Sequence, residues 1–100
     1  MLSAKIRLKE KVWLYPGAAA WYFVSVPKSK SATLKKAFLG LTAGFGSLPV
    51  TATIGQTTWK TSIFPESKSG CYMLPLKASV RKKENIAPKK IVSVTLIIEL

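Results

Sequence analysis

Cys71 is the only thiol in the chain, and there is no histidine to activate it. A cysteine attacks as its thiolate, which forms at neutral pH only beside a base or a cation. Free thiols are commonly just packed, so Cys71 is read as a small side chain on a strand, with a nucleophile as the alternative. Ser62 stands two residues after Lys60, a spacing that puts both on one strand face and would suit a serine–lysine pair. Any two such residues on a strand meet that condition, and exposed polar neighbours are the simpler reading. The acids are four glutamates, Glu10, Glu66, Glu84 and Glu99, with no aspartate. Glu66 and Glu99 lie far apart and carry no sign of a catalytic dyad. Acid–base catalysis leans on histidine and paired carboxylates, and metal cages on His, Cys and carboxylate clusters. No catalytic residue, metal ligand or cofactor is assigned, and the protein is expected not to be an enzyme.

Anion-binding chemistry is better supplied. Gly44-Phe45-Gly46 offers two glycines of a dinucleotide fingerprint, but the third position falls on Pro49 and a strand follows where a helix is required. A loop that needs glycine's backbone freedom explains both. Lys and Arg together number 16 against 4 acids, a formal net charge of +12. They gather as Lys5, Arg7, Lys9 and Lys11; as Lys28, Lys30, Lys35 and Lys36; and as Lys77, Arg81, Lys82, Lys83, Lys89 and Lys90. With Trp13, Tyr15 and Trp59 exposed among them, such rows would suit single-stranded nucleic acid. That alternative would use Lys5, Arg7, Lys9, Lys11, Lys89 and Lys90. Only Arg7 and Arg81 are arginine, however, and bidentate recognition of phosphate or guanine favours arginine. The preferred reading is a binding module with a pocket at a barrel mouth. Trp59 and Tyr72 would line it, and Lys60, Lys77, Arg81 and Lys82 would hold a small anionic ligand. A protein partner on the basic surface is the other occupant considered.

The elements that must position these residues follow from periodicity. Leu2, Ala4, Ile6, Leu8, Val12 and Leu14 alternate with Lys5, Arg7, Lys9, Lys11 and Trp13, which predicts a half-buried antiparallel strand. Pro16-Gly17 turns the chain, and a second strand runs from about Ala20 to Val26, its aromatics Trp21, Tyr22 and Phe23 filling the core. Leu34, Ala37, Phe38 and Leu41 have helical spacing, with Ser31 as the cap and Gly40 as the stop. Val50 to Ile54 and Thr57 to Phe64 flank Gly55-Gln56 as a hairpin. Pro65 to Gly70 is a polar turn. Tyr72, Leu74 and Leu76 alternate as a further strand, which Pro75 marks as an edge or a bulge. The basic stretch Lys77 to Ile86 makes one or two helical turns, Pro88 ends it, and Ile91 to Leu100 is a last strand. The sum is a mainly β fold, a six-stranded small pseudobarrel capped by two short helices that closes its own edges.

The set Trp21-Tyr22-Phe23-Val24 with Val26-Pro27, then Gly44-Phe45-Gly46-Ser47 with Pro49-Val50, Ile54-Gly55 and Thr58-Trp59-Lys60-Thr61-Ser62, then Gly70-Cys71-Tyr72-Met73-Leu74-Pro75-Leu76-Lys77 and Val80-Arg81-Lys82, resembles the bacterial family called domain of unknown function 1905. The resemblance spans nearly the whole chain and implies a β pseudobarrel capped by short helices, akin to the double-split barrels. It implies no activity. Relatives usually have a Gly-Asp pair before the final strand, where this chain has Ala87-Pro88-Lys89-Lys90.

The length suits one domain over residues 1–100, able to bury roughly 65% of the surface its unfolded chain exposes. With 48% hydrophobic and 20% charged residues the composition is that of a folded protein. A lone cysteine allows no internal disulfide. The charged N-terminus lacks the apolar core of a signal peptide, and the longest apolar run, Ala18 to Val24, is too short for a membrane span. A cytoplasmic protein without a membrane partner is expected.

Overall fold

In the computed structural model, which describes residues 3–17, 21–41 and 46–99, the first alternating segment becomes one long strand, β1 (Ser3–Leu14). Ala4, Ile6, Leu8 and Val12 pack inward while Lys5, Arg7, Lys9 and Lys11 stay exposed. The other strands are β2 (Tyr22–Ser25), β3 (Leu48–Ile54), β4 (Thr57–Pro65), β5 (Tyr72–Pro75) and β6 (Ile91–Glu99); the helices are α1 (Lys28–Ala37) and α2 (Ala78–Lys83). All strand pairs are antiparallel, and they close in the order β1-β2-β5-β4-β3-β6, with β6 back against β1. This is the mainly β, six-stranded barrel with two short helices that the sequence predicts, and every strand has a neighbour on both sides. β1 serves both halves of the barrel: Ser3 to Lys11 pair with β6, and Val12 to Leu14 with β2.

The hairpin of β3 and β4 forms as its glycine requires. Ile54 pairs with Thr57 across Gly55-Gln56. Gly55 has a φ of +57° and Gln56 is not in that region, the pattern of a type II′ turn, which matches the twist of the flanking strands.

α1 differs from its sequence reading in a consequential way. Its N-cap is Pro27 and no side chain caps it. Ser31 lies inside the helix and is fully buried. Its hydroxyl donates to the Val26 carbonyl at 3.0 Å and accepts from the Tyr72 amide at 2.9 Å, so it is a rivet between β2 and β5 and not a cap. Leu34 and Phe38, three and seven residues on, complete the buried stripe, while Ala37 and Leu41 are exposed. Burying each of Leu34 and Phe38 contributes about 1.5–3 kcal/mol of transfer free energy.

The second strand is shorter than read, and its reading from Ala20 begins outside the described residues, as do Leu2, Gly44, Phe45 and Leu100. Alternation along β2 sends Tyr22 and Val24 inward and Phe23 outward. Phe23 is nonetheless buried, and Tyr22 packs against the core, whereas Trp21 is 56% exposed, so of these three aromatics Trp21 alone does not fill the core. The outer surface of the barrel is thereby divided. One side, across β1, β6, β3 and β4, pairs Arg7 with Thr95, Thr95 with Thr53 and Thr53 with Thr58. The other side, across the end of β1, β2 and β5, carries Trp13, Tyr15, Trp21, Phe23 and Met73. Trp13 and Phe23 rings lie 5.2 Å apart, Tyr15 and Phe23 5.8 Å, and Trp21 stacks on Phe23 at 6.1 Å. The Trp13 indole N–H donates to Ser25 Oγ at 2.9 Å.

Candidate functional site

The barrel opens where β4 and β5 part. Their ladder has two residue pairs, Phe64 with Met73 and Pro65 with Tyr72. On the β2 side of β5, the Tyr72 carbonyl accepts from Val26 N, and Leu76 N, just past the strand, donates to Tyr22 O. The intervening Met73 and Pro75 therefore turn their backbone groups toward β4. Pro75 has no N–H to offer there, and the pairing stops. Pro75 marks the place where an interior ladder ends, not a sheet edge: β5 has β2 on one side and β4 on the other.

The gap is a cleft of about 260 Å³. Trp59, whose ring is buried among the core residues, forms part of its lining together with Tyr22, Thr61 and Leu76. Lys60, Lys77 and Arg81 reach it from β4, from the start of α2 and from α2 itself, and none of its lining residues is acidic. Arg81 is held on two sides. Its Nε donates to the Leu76 carbonyl at 3.0 Å, and its guanidinium lies 3.9 Å from the centroid of the Tyr22 ring, within cation–π range. Its terminal nitrogens have no hydrogen-bond partner among the described residues.

α2 has too few turns to hold itself and is fastened from outside. Val80 is buried beneath it. Past its end, Glu84 accepts from Thr57 Oγ1 at 2.6 Å, and the Lys90 ammonium donates to the carbonyls of Glu84 and Asn85. A cation on the last carbonyls also suits the negative end of the helix dipole.

Four residues singled out from the sequence thus meet in the cleft: Trp59, Lys60, Lys77 and Arg81. Two do not. Tyr72 is buried in the core, with Lys35 Nζ 5.7 Å from its ring centroid, because it shares the inward side of β5 with Leu74. Lys82 is exposed on α2 and does not line the cleft. Trp21 and Tyr22, read as core, do line it; no local signal marks them, because the opening is set by where β4 and β5 part.

Burial pushes the Tyr72 phenol above its ordinary value. A raised pKa in the fold means that its contribution to stability is fully present below about pH 10, the unfolded value, and is lost as pH climbs through the folded one. Tyr72→Phe is accordingly expected to unfold with a shallower loss of stability as pH rises above about 10 than the parent, measured by urea titration at fixed ionic strength.

The alternative cations are placed otherwise. Lys5, Arg7, Lys9 and Lys11 form an exposed row on β1, and Lys89 and Lys90 sit beside its end, their backbone bonded to Val12. The Lys90 side chain is engaged at the end of α2, and Trp59 is buried and stands apart from that row. Lys30 donates to the Arg7 carbonyl at 2.8 Å and shares with Lys5 and Arg7 a broad, open trough between β1 and α1. Lys60 and Ser62 lie on β4, whose inward residues include Trp59 and Ile63; Cys71 is half-buried just before β5, its thiol 3.9 Å from the Ser69 carbonyl.

Among the described residues, no group of three or more His, Cys, Asp or Glu is placed to hold a metal ion, and no helix is long and apolar enough to cross a membrane. A family model described as domain of unknown function (DUF1905) matches residues 9–96. No curated protein matches the chain.

Proposed function

The chain belongs to the DUF1905 family of domains of unknown function, and from that premise we propose that the split between β4 and β5 binds a small anionic ligand. The observation that carries this reading is the convergence of Lys60, Lys77 and Arg81 on one aromatic-walled cleft with no acid in its lining. Three cations sharing a concave site repel one another, and an anion relieves that repulsion. Arg81 is pre-oriented by Leu76 and Tyr22, so binding orders little that is not ordered already. The protein in this reading is a cytoplasmic binding module that performs no reaction on its ligand; Cys71 and Ser62 have no histidine in the chain to activate them.

Ribose 5-phosphate is the probe that tests it. Calorimetric titration at 50 mM salt is expected to show one site per chain, weakening as salt rises because surface cations are screened. No heat at millimolar ligand in 50 mM salt overturns the proposal. An oligonucleotide bound with a steep salt dependence while ribose 5-phosphate is not would favour the exposed row of Lys5, Arg7, Lys9 and Lys11 on β1 as the binding surface.

A further inference from the structure

We propose that the ligand of this cleft is a nucleoside monophosphate, its phosphate held by Arg81, Lys77 and Lys60 and its base stacked on Trp21. The inference rests on the anion-binding reading of the cleft and adds the class of ligand to it.

Trp21 is the residue that joins two features. It lines the cationic cleft together with Lys77 and Arg81. It also lines a shallow apolar depression of about 330 Å³ on the outside of the barrel, shared with Tyr15, Phe23 and Met73. An aromatic platform and a cluster of cations therefore share one wall. Trp21 is 56% exposed although it stacks on Phe23. Hydrophobic burial alone gives no reason for so large a ring to stay uncovered; burying an aromatic side chain is strongly favourable. The platform is rigid. Trp13 and Tyr15 pack on Phe23, and the Trp13 indole is tied to Ser25, so Trp21 rests on an ordered base.

The ligand chemistry follows from both halves. Three cations and no acid in the lining match a group of about two negative charges, which a phosphate monoester carries at neutral pH and a monocarboxylate does not. An apolar aromatic shelf beside them matches a planar ring, since base stacking on an aromatic side chain stabilises by about 1–3 kcal/mol whatever the base. The cleft's 260 Å³ is small for a drug-sized ligand. It accommodates the phosphate end, and the ring extends onto the shelf.

The test compares AMP, ribose 5-phosphate and adenosine by calorimetry on the parent and on Trp21→Ala. Trp21 is exposed, so its replacement leaves the barrel folded; matching urea unfolding curves check this, and Trp21→Phe serves as the conservative variant. AMP is expected to bind the parent about tenfold more tightly than ribose 5-phosphate, a margin within the range of one stacked base. Trp21→Ala is expected to erase that margin by weakening AMP about tenfold more than it weakens ribose 5-phosphate, and Trp21→Phe to restore most of it. Equal affinity for AMP and ribose 5-phosphate in the parent overturns the nucleotide assignment and leaves the anion site standing. Absence of binding by both overturns the two together. A margin that survives in Trp21→Ala overturns the role of Trp21. A pentathymidylate that binds far more tightly than AMP, with a steeper salt dependence, replaces the mononucleotide by single-stranded nucleic acid.

Discussion

Ser31→Ala is expected to lower the unfolding free energy by about 2–4 kcal/mol, since a buried donor or acceptor left unpaired costs about 1–3 kcal/mol. The change removes one oxygen atom and no apolar contact. What it exposes is the accounting at the ends of β2 and β5. Val26 N donates to Tyr72 O, and the return bond from Tyr72 N to Val26 O is replaced by the Ser31 hydroxyl, which takes one and gives to the other. Without it a buried N–H and a buried carbonyl face each other across the space an oxygen occupied. In a domain of this size the loss corresponds to a fall in Tm of about 10–20 °C. Urea unfolding should show a lower midpoint with an unchanged slope, because the surface exposed on unfolding is the same. Thr33→Ala is the matched control: Thr33 lies on the exposed side of the same helix and its hydroxyl bonds only to Ser29 O, so its loss is expected to cost under about 0.5 kcal/mol. A loss below about 1 kcal/mol for Ser31→Ala would mean that the two strands close directly on each other, and Ser31 would then be a filler and not a rivet.

That residue also shows where sequence reasoning stopped. A serine ahead of Leu34 and Phe38 has the local pattern of a cap, and nothing nearby announces a partner at Tyr72, 41 residues away. Features with local causes were legible. The alternation of Lys5, Arg7, Lys9 and Lys11 against Ala4, Ile6 and Leu8 forces a half-buried strand, and Gly55 supplies the positive φ that the two-residue hairpin demands. Pro75 was legible as a ladder terminator but not as to place. A missing N–H says only that pairing ends, and here it ends inside a closed barrel, where the gap becomes the cleft. The site was half legible for the same reason. Lys60, Lys77 and Arg81 stand out as charges near aromatics, and Trp59 follows from strand parity with Ile63. Parity also puts Tyr72 with Leu74 in the core and separates Tyr22 from Trp21 and Phe23. Three consecutive aromatics obscured that pattern, because apolar cover on both faces of a strand reads as core whether the outer face is packed or open.

Arg81 carries the second large expectation, and two substitutions separate its charge from its shape. Arg81→Gln is expected to weaken ribose 5-phosphate binding about thirty- to hundredfold, since hydrogen bonds to a charged group are worth about 1.5–3 kcal/mol. It also removes one cation, so the salt dependence of the residual binding should flatten. Arg81→Lys keeps the charge and should keep the salt dependence, yet is expected to lose about tenfold in affinity. A lysine cannot bond Leu76 O through Nε while presenting a planar fork to an oxyanion, and it gives up much of the stack on Tyr22. The cost to folding is separate, about 0.5–1 kcal/mol for the cation–π contact and about 0.5–1.5 kcal/mol for the hydrogen bond to Leu76 O, and urea titration of the free proteins measures it independently of ligand. If Arg81→Lys binds as the parent does, the guanidinium acts as a point charge and its pre-orientation is incidental. If Arg81→Gln does, the cations of the cleft are solvated surface, and the anion site is not there.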